Sequence, residues 1–204
     1  VSGHGHHGQM VDEAAVTLDA ERGHVLQLDG NGYVDCGADP AFNLTHAITL
    51  SVWIKAKSPD IATFPIIGKG GDAWYLRASY PHRTTHFHTR GLEVTYDTKQ
   101  PITGDVNITD GHWHHLVSVY DGTQMVLYVD SKPDKTLGAD GVLNINGKRV
   151  FIGADHDSGQ NPGHQRWQGV IDDVRIYDNA LSEADVRALY RGEEPAIKNG
   201  ITPI

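Results

Sequence analysis

Apolar residues recur along the chain in short runs, and turn residues separate one run from the next. Residues 24–30 (HVLQLDG) alternate apolar and polar positions, and residues 47–56 (AITLSVWIKA) form a longer β-rich run. Residues 112–130 hold two β-branched runs joined at Asp121-Gly122, a pair favoured in two-residue hairpin turns. Many such runs without helices between them are typical of an all-β, antiparallel two-sheet β-sandwich or barrel.

One short C-terminal helix is predicted over residues 183–191. Ser182 occupies its N-cap position, and Asp185 follows three residues later, which is a capping-box pattern. Gly192 ends the helix. The flanking segments lack an apolar pattern. We therefore expect a disordered His-rich leader at 1–15, one domain over 16–192, and a tail or linker over 193–204.

Composition narrows the class of function. A chain of 204 residues with 39% hydrophobic residues suits one large all-β domain. Its net charge of -9 argues against nucleic acid as a partner, and no run approaches the ~18 apolar residues of a membrane span. Cys36 is the single cysteine, so no internal disulfide can form. Because the chain begins with Val1, we expect a processed chain or a piece of a longer protein.

Several runs, taken in order, resemble one known family. They include VLQLDGNGYVDCG, AITLSVWIKA, IIGKGG, HWHHLVSVYDGTQMVLYVDS, FIGAD and GVIDDVRIYDNALSEADVRALY. The set is similar to the concanavalin A-like lectin/glucanase superfamily, and to its laminin-G-like domains in bacterial extracellular proteins. The resemblance implies a jelly roll of two curved antiparallel sheets. It also implies a secreted, extracellular or periplasmic location and attachment to a larger polysaccharide-active protein, where such domains bind sugar or simply pack.

The resemblance further implies a structural calcium ion where the first and last strands meet. Calcium takes several oxygen ligands from carboxylates and carbonyls. Asp29 and Asn31 lie on a glycine-rich turn, and Asp172 and Asp173 stand side by side in the last strand. Adjacent side chains of a strand point to opposite faces, so both aspartates reach one ion only if the strand bulges. The alternative is that one aspartate caps a turn or meets an arginine such as Arg175, and that the other is solvated.

The sequence offers little support for hydrolytic or zinc chemistry. Retaining glycosidases of this fold typically carry Glu-x-Asp-x-x-Glu on one strand, and Glu93 is the only glutamate within the predicted sandwich strands. Residues 112–115 (HWHH) look like a zinc cluster, but the resemblance implies a structural Trp-His motif at the start of that strand. A zinc site also needs three or four converging ligands, which spacing alone does not show.

Two adjacent runs carry the more promising chemistry. If both runs are extended strands, Tyr75 and Arg77 share one face of the first, while His86, His88 and Arg90 share one face of the second. Sugar sites combine aromatic platforms with hydrogen-bond donors, and arginine binds carboxylate or sulfate groups in bidentate geometry. The alternative is an ordinary solvated sheet face.

The segment 154–167 is a long polar segment punctuated by glycine and proline, and such segments often carry ligand contacts. The alternative is a rim loop without function. Its plausible ligand-binding residues are Asp155, His156, Asp157, His164, Arg166 and Trp167.

We therefore expect a non-catalytic carbohydrate-binding module with a polysaccharide or oligosaccharide partner, and an acidic or sulfated glycan would suit the His and Arg side chains. One alternative is a lyase or hydrolase acting through the same side chains, in which arginine neutralises a uronate and His or Tyr removes a proton. Another alternative is a protein-interaction or spacer module.

Overall fold

The computed structural model describes residues 7–56, 63–79, 82–89, 92–94, 101–155 and 166–196. These residues form fifteen β-strands and one α-helix. The strands are β1 (Gln9–Val11), β2 (Ala15–Asp19), β3 (Gly23–Asp29), β4 (Tyr33–Asp35), β5 (Ile48–Ala56), β6 (Thr63–Gly68), β7 (Trp74–Ser79), β8 (Thr84–Thr89), β9 (Leu92–Val94), β10 (Ile102–Asn107), β11 (His114–Tyr120), β12 (Gln124–Val129), β13 (Lys132–Gly141), β14 (Phe151–Ile152) and β15 (Gln168–Tyr177). The helix is α1 (Glu183–Tyr190).

The strands form two antiparallel sheets, which confirms the predicted all-β sandwich of the jelly-roll class. The seven-stranded sheet has the order β1-β4-β14-β6-β7-β8-β10, and the eight-stranded sheet has the order β2-β3-β15-β5-β11-β12-β13-β9. Some neighbouring strands are consecutive in the chain, but others are far apart, as shown by β15 lying between β3 and β5. The last long strand therefore joins the N-terminal strands to the centre of the sheet.

The core lies between the sheets and is built by strand alternation. In β7, Trp74, Leu76 and Ala78 are buried, while the residues between them are half-buried on the outer face. Phe87 of β8 and Trp167 join the same core. Because the side-chain period of a strand is two, this alternation fixes which residues of β7 can meet a ligand.

The helix α1 ends one residue earlier than predicted, and its start matches the prediction. Ser182 accepts a hydrogen bond from the Asp185 backbone N–H while the Asp185 side chain accepts one from the Ser182 backbone, so the capping box is formed. Val186 packs against Val117 and Tyr128 on the outer face of the eight-stranded sheet. The helix covers part of that face.

The hairpin between β11 and β12 is confirmed, but its turn lies one residue later than predicted. Tyr120 pairs with Met125, and the Asp121 backbone N–H donates to the Gln124 carbonyl at 3.2 Å. The two central residues are therefore Gly122 and Thr123, with Gly122 at φ 97°. The Asp121 carboxylate accepts from the Thr123 backbone N–H at 2.8 Å, so it stabilises the turn from the preceding position.

The predicted boundary of the leader is wrong. Residues within 1–15 that we expected to be disordered include β1, which pairs with β4 through Met10 and Val34. A three-residue strand is too short for alternation to reveal it, and its order comes from pairing with a distant strand.

Candidate functional site

The outer face of the seven-stranded sheet carries the predicted His, Arg and Tyr side chains. β7 and β8 are paired, with Tyr75 opposite His88 and Arg77 opposite His86. The expected shared face is therefore present for these four residues. Arg90 lies outside the described residues.

Aromatic and cationic groups on this face are packed against one another. The Arg77 guanidinium carbon lies 3.7 Å from the centroid of the Tyr75 ring, which is a cation–π geometry. The Tyr75 ring also contacts His88 at 4.9 Å and His86 at 5.9 Å between centroids. His88 is only 5% exposed, so it supports Tyr75 from below and offers little surface to a ligand.

The surroundings of Arg77 use only part of the hydrogen-bonding capacity of its guanidinium. Its Nη2 lies 3.5 Å from Asp155 Oδ2, and its side chain is 15% exposed. The Nε atom is buried and has no hydrogen-bond partner among the described residues. Arg77 and Asp155 line a shallow pocket whose other walls include Pro65, Gly68 and Ala154. A ligand oxygen can accept a hydrogen bond only from the exposed part of this guanidinium, and not from the buried Nε–H.

His86 is uncharged at neutral pH. Burial lowers its pKa to about 3, and the nearby charges of Arg77 and His88 act in the same direction. Its Nδ1 lies 3.4 Å from the Thr103 hydroxyl. His86 therefore adds no positive charge to this face at neutral pH.

Arg166 lies on the same face and repeats the arrangement of Arg77. Its guanidinium carbon is 4.6 Å from the Tyr33 ring centroid, and its Nη1 is 3.4 Å from Asp12 Oδ2. Its Nη1 also donates to the Asn31 carbonyl. Arg166 forms a bridge with Ala154, so both arginines flank the segment that carries Asp155.

Trp167 does not belong to the site. Its side chain is 1% exposed and packs in the core between the sheets. The segment is extended here, so Arg166 points outward and Trp167 points inward. The expectation that Trp167 contacts a ligand is wrong. His156 lies outside the described residues, as do the further candidates Asp157 and His164.

The four predicted calcium ligands lie in two separate places. Asp29 pairs with Gln168, so Asp172 lies four residues further along β15, about 13 Å away at the rise of a strand. Asp29 Oδ1 accepts from the Asn31 backbone N–H at 3.0 Å, and Asn31 Nδ2 donates to Glu13 at 2.9 Å. No group of three or more His, Cys, Asp or Glu residues in the described ranges could hold a metal ion. The set of four does not converge on one ion.

Asp172 and Asp173 each neutralise an arginine. The register of β15 shifts between Asp172 and Arg175, and Asp173 has φ 47°, so the strand bulges at the two acids. Arg22 Nε donates to Asp172 Oδ2 at 2.7 Å, and Arg175 Nε donates to Asp173 Oδ1 at 2.8 Å. The expected contact with Arg175 is therefore present, but the expectation that the other aspartate is solvated is wrong, because Asp172 pairs with Arg22.

A second cluster, on the outer face of the eight-stranded sheet, was not predicted. The Arg22 guanidinium carbon lies 4.1 Å from the Trp53 ring centroid, and Trp53 stacks on Tyr190 at 5.4 Å. Trp113 Nε1 donates to Asp19 at 3.2 Å. These groups interact with one another through ring stacking, a cation–π contact and a hydrogen bond. Because they join the end of α1 to the sheet, the cluster is structural. Trp113, within HWHH, was the sequence signal that could have pointed to it.

The histidines of the HWHH segment make contacts within the protein. His114 Nδ1 lies 2.9 Å from Asp130 and its Nε2 lies 3.1 Å from Asp110. His115 is on the other face, where it stacks on Trp53 with 5.0 Å between centroids. His114 and His115 therefore have different partners, whereas His112 and His114 both contact Asp110.

Comparison with known proteins agrees with this architecture. The sequence profile described as "Concanavalin A-like lectin/glucanases superfamily" matches residues 28–187. Adhesion G-protein coupled receptor V1 of Danio rerio is 29% identical over 154 residues, which are 70% of this chain and 2% of the receptor. The chain thus spans about 2% of the length of this relative.

Solved structures share the fold at low sequence identity. Domain 4 of AbnA, a GH43 extracellular arabinanase from Geobacillus stearothermophilus solved in complex with arabinotriose, superposes with a TM-score of 0.64 at 15% identity, covering 90% of this chain and 87% of that one. The binding domain of Paraclostridial Mosquitocidal Protein 1 superposes with a TM-score of 0.69 at 12% identity, covering 91% of this chain and 47% of that one. The binding domain of Botulinum neurotoxin DC in complex with SialylT superposes with a TM-score of 0.64 at 16% identity, covering 92% of this chain and 47% of that one.

Proposed function

Because this chain belongs to the concanavalin A-like lectin/glucanase superfamily, we propose that it is a non-catalytic carbohydrate-binding module. The observation that carries the proposal is Arg77, which is stacked on Tyr75, keeps part of its side chain exposed and lines a small pocket together with Asp155. Aromatic surface next to an oriented donor is suited to the apolar faces and hydroxyls of a sugar. The arabinotriose complex of the arabinanase domain supports a saccharide as the ligand class.

Binding without turnover fits the site better than lyase chemistry. A lyase needs a base whose pKa lies near the working pH. His86 is held at a pKa of about 3, so it is a weak proton acceptor, and its Nδ1 faces Thr103. We infer that the imidazole packs and positions Tyr75 rather than removing a proton from substrate.

We propose an extracellular location and a place within a larger protein. The match to an adhesion receptor and the description of the arabinanase as extracellular support the location. The small share of the receptor that this chain spans supports the larger context. No helix in the described residues is long and apolar enough to cross a membrane.

The test is a binding screen on immobilised and soluble polysaccharides, with reducing-end and ultraviolet readouts on the same samples. We expect retention without new chain ends or unsaturated products, and Arg77→Ala should weaken binding roughly tenfold or more through loss of a charge-assisted hydrogen bond. Arg187→Ala, on the exposed face of α1, is the matched control and should bind as the wild type does. Product formation would identify an enzyme, and absence of both binding and turnover would identify a spacer module.

We propose calcium only at the turn where Glu13, Asp29 and Asn31 meet. The hydrogen bond from the Asn31 backbone N–H lowers the pKa of Asp29, and the Glu13 carboxylate and the Asn31 amide supply further oxygen atoms nearby. Calcium should raise the melting temperature of the wild type by mass action and should leave Asp29→Asn unchanged. If chelator and calcium leave the wild-type melting temperature the same, this calcium proposal is wrong.

A further inference from the structure

The arginines on the outer face of the seven-stranded sheet are paired with carboxylates. Arg77 faces Asp155 at 3.5 Å, and Arg166 faces Asp12 at 3.4 Å. A third pair joins Arg149 Nε to both oxygens of Asp35 at 2.8 Å. Each of these three cations in the described part of the face therefore has an anion beside it.

The pairs are part of a repeated arrangement. Arg77 lies on the Tyr75 ring and Arg166 lies on the Tyr33 ring, at 3.7 Å and 4.6 Å from the ring centroids. In both cases the guanidinium has an aromatic face on one side and an aspartate at its edge. The arrangement offers apolar surface, N–H donors and carboxylate acceptors within one small area.

His86 adds no charge that would favour an anion. His86 remains neutral because burial and the nearby Arg77 disfavour its protonated form. The net charge of the chain is -9, so the field of the whole molecule also repels anions.

An anionic ligand would meet Asp155 as soon as it approached Arg77. The two like charges would repel each other in a half-buried pocket, where water screens them poorly. A sugar hydroxyl meets no such penalty, because it can accept from the Arg77 N–H and donate to the Asp155 carboxylate. Paired donors and acceptors therefore select hydroxyl groups over carboxylates or sulfates.

We infer that the ligand of this face is a neutral glycan whose hydroxyls bridge the Arg77–Asp155 pair, and not an acidic or sulfated one. This inference rests on the proposed carbohydrate-binding function and names the substrate class of the same site. It differs from the expectation from sequence, in which the Arg and His residues were counted without the aspartates that meet them.

The test measures affinity for linear arabino-oligosaccharides, neutral glucans, polygalacturonate and a sulfated polysaccharide across a sodium chloride series. We expect binding to a neutral glycan with little dependence on salt, because no net charge is neutralised on binding. Asp155→Asn should lose roughly tenfold or more of that affinity, since a charged acceptor is removed. Asp140→Asn, which changes an exposed carboxylate on the eight-stranded sheet, should change nothing.

The outcomes separate this inference from the proposed function. Binding only to uronic or sulfated polysaccharides, with affinity falling steeply in salt, overturns the neutral ligand and leaves the carbohydrate-binding function standing. Neutral binding that is unchanged in Asp155→Asn also overturns the inferred role of the pair. No binding to any glycan in the panel overturns the proposed function and this inference together.

Discussion

At the scale of single residues, the adjacent acids Asp172 and Asp173 are explained by the cations beside them. The bulge in β15 lets Asp172 meet Arg22 and Asp173 meet Arg175. Both side chains of the Arg22–Asp172 pair are 22% exposed, and Arg22 is also held against Trp53. Removing one partner leaves a half-buried charge without compensation, which costs more than breaking a surface ion pair.

Asp172→Asn should lower the free energy of unfolding by roughly 1–2 kcal/mol, because Arg22 loses its anion. Urea denaturation at neutral pH measures the effect. Asp178→Asn is the control, since the exposed Asp178 carboxylate contacts the neighbouring Asn179. A double-mutant cycle with Arg22→Met should show coupling between the two positions. Equal stability of Asp172→Asn and wild type would show that the pair is not stabilising.

His114 gives a second residue-scale prediction, because its ring lies between two carboxylates. The hydrogen bond to Asp130 raises the pKa of His114, and contact with Asp110 adds to this effect. A raised pKa contributes stability that is fully present below the unfolded value of about 6.5 and is lost as pH rises through the folded value.

His114→Gln should therefore be destabilised relative to wild type at about pH 6, and the difference should shrink above neutral pH. Chemical denaturation over a pH series measures this difference. His24→Gln, at an exposed position of β3, is the control and should show no such dependence. A difference that grows with rising pH would contradict the assignment.

At the scale of elements, turn geometry is tested at Gly122. This residue is the first central residue of the β11–β12 turn and has φ 97°, a conformation that side chains other than glycine rarely adopt. Gly122→Ala should cost about 1–2 kcal/mol of stability. Gly147→Ala is the matched control, because an added methyl group there meets no atom within 4 Å and the backbone is not left-handed. Equal stability of the two variants would contradict the turn assignment.

Elements with a strong local signal could be predicted from the sequence. The alternation in β7, the apolar run of β5 and the capping box at Ser182 each depend on residues close together in the chain. The three residues of β1 could not be predicted, because their order comes from pairing with β4. The turn at Gly122 was misplaced by one residue, because Asp121 stabilises it through its side chain and does not occupy its centre.

At the scale of the whole molecule, the face that carries the site could be predicted, but its charge could not. Alternation places Tyr75 and Arg77 together within one strand, and pairing of neighbouring strands adds His86. Asp155 meets Arg77 only because the sheet brings β14 close to β7 across β6. Periodicity carries no information about such contacts, so the sequence showed the cations without their partners.

The pH dependence of global stability follows from the histidines that become buried when the chain folds. Burial lowers the pKa of His86 to about 3 and that of His115 to about 4. Below about pH 6.5 the unfolded chain binds protons at both positions while the folded chain does not, so the unfolded state is favoured as pH falls. His114 is already protonated in both states there, so it adds no slope.

Wild-type stability should therefore fall between about pH 6 and pH 4, with a slope of up to about 1.4 kcal/mol per pH unit for each histidine. Chemical denaturation across this range measures the slope, and His86→Gln and His115→Gln should each reduce it. His24→Gln should keep the wild-type slope, because that side chain is exposed. Stability that rises on acidification through this range would show that the two buried histidines take up protons in the folded protein, and the outer face around Arg77 would then carry positive charge suited to an anionic glycan.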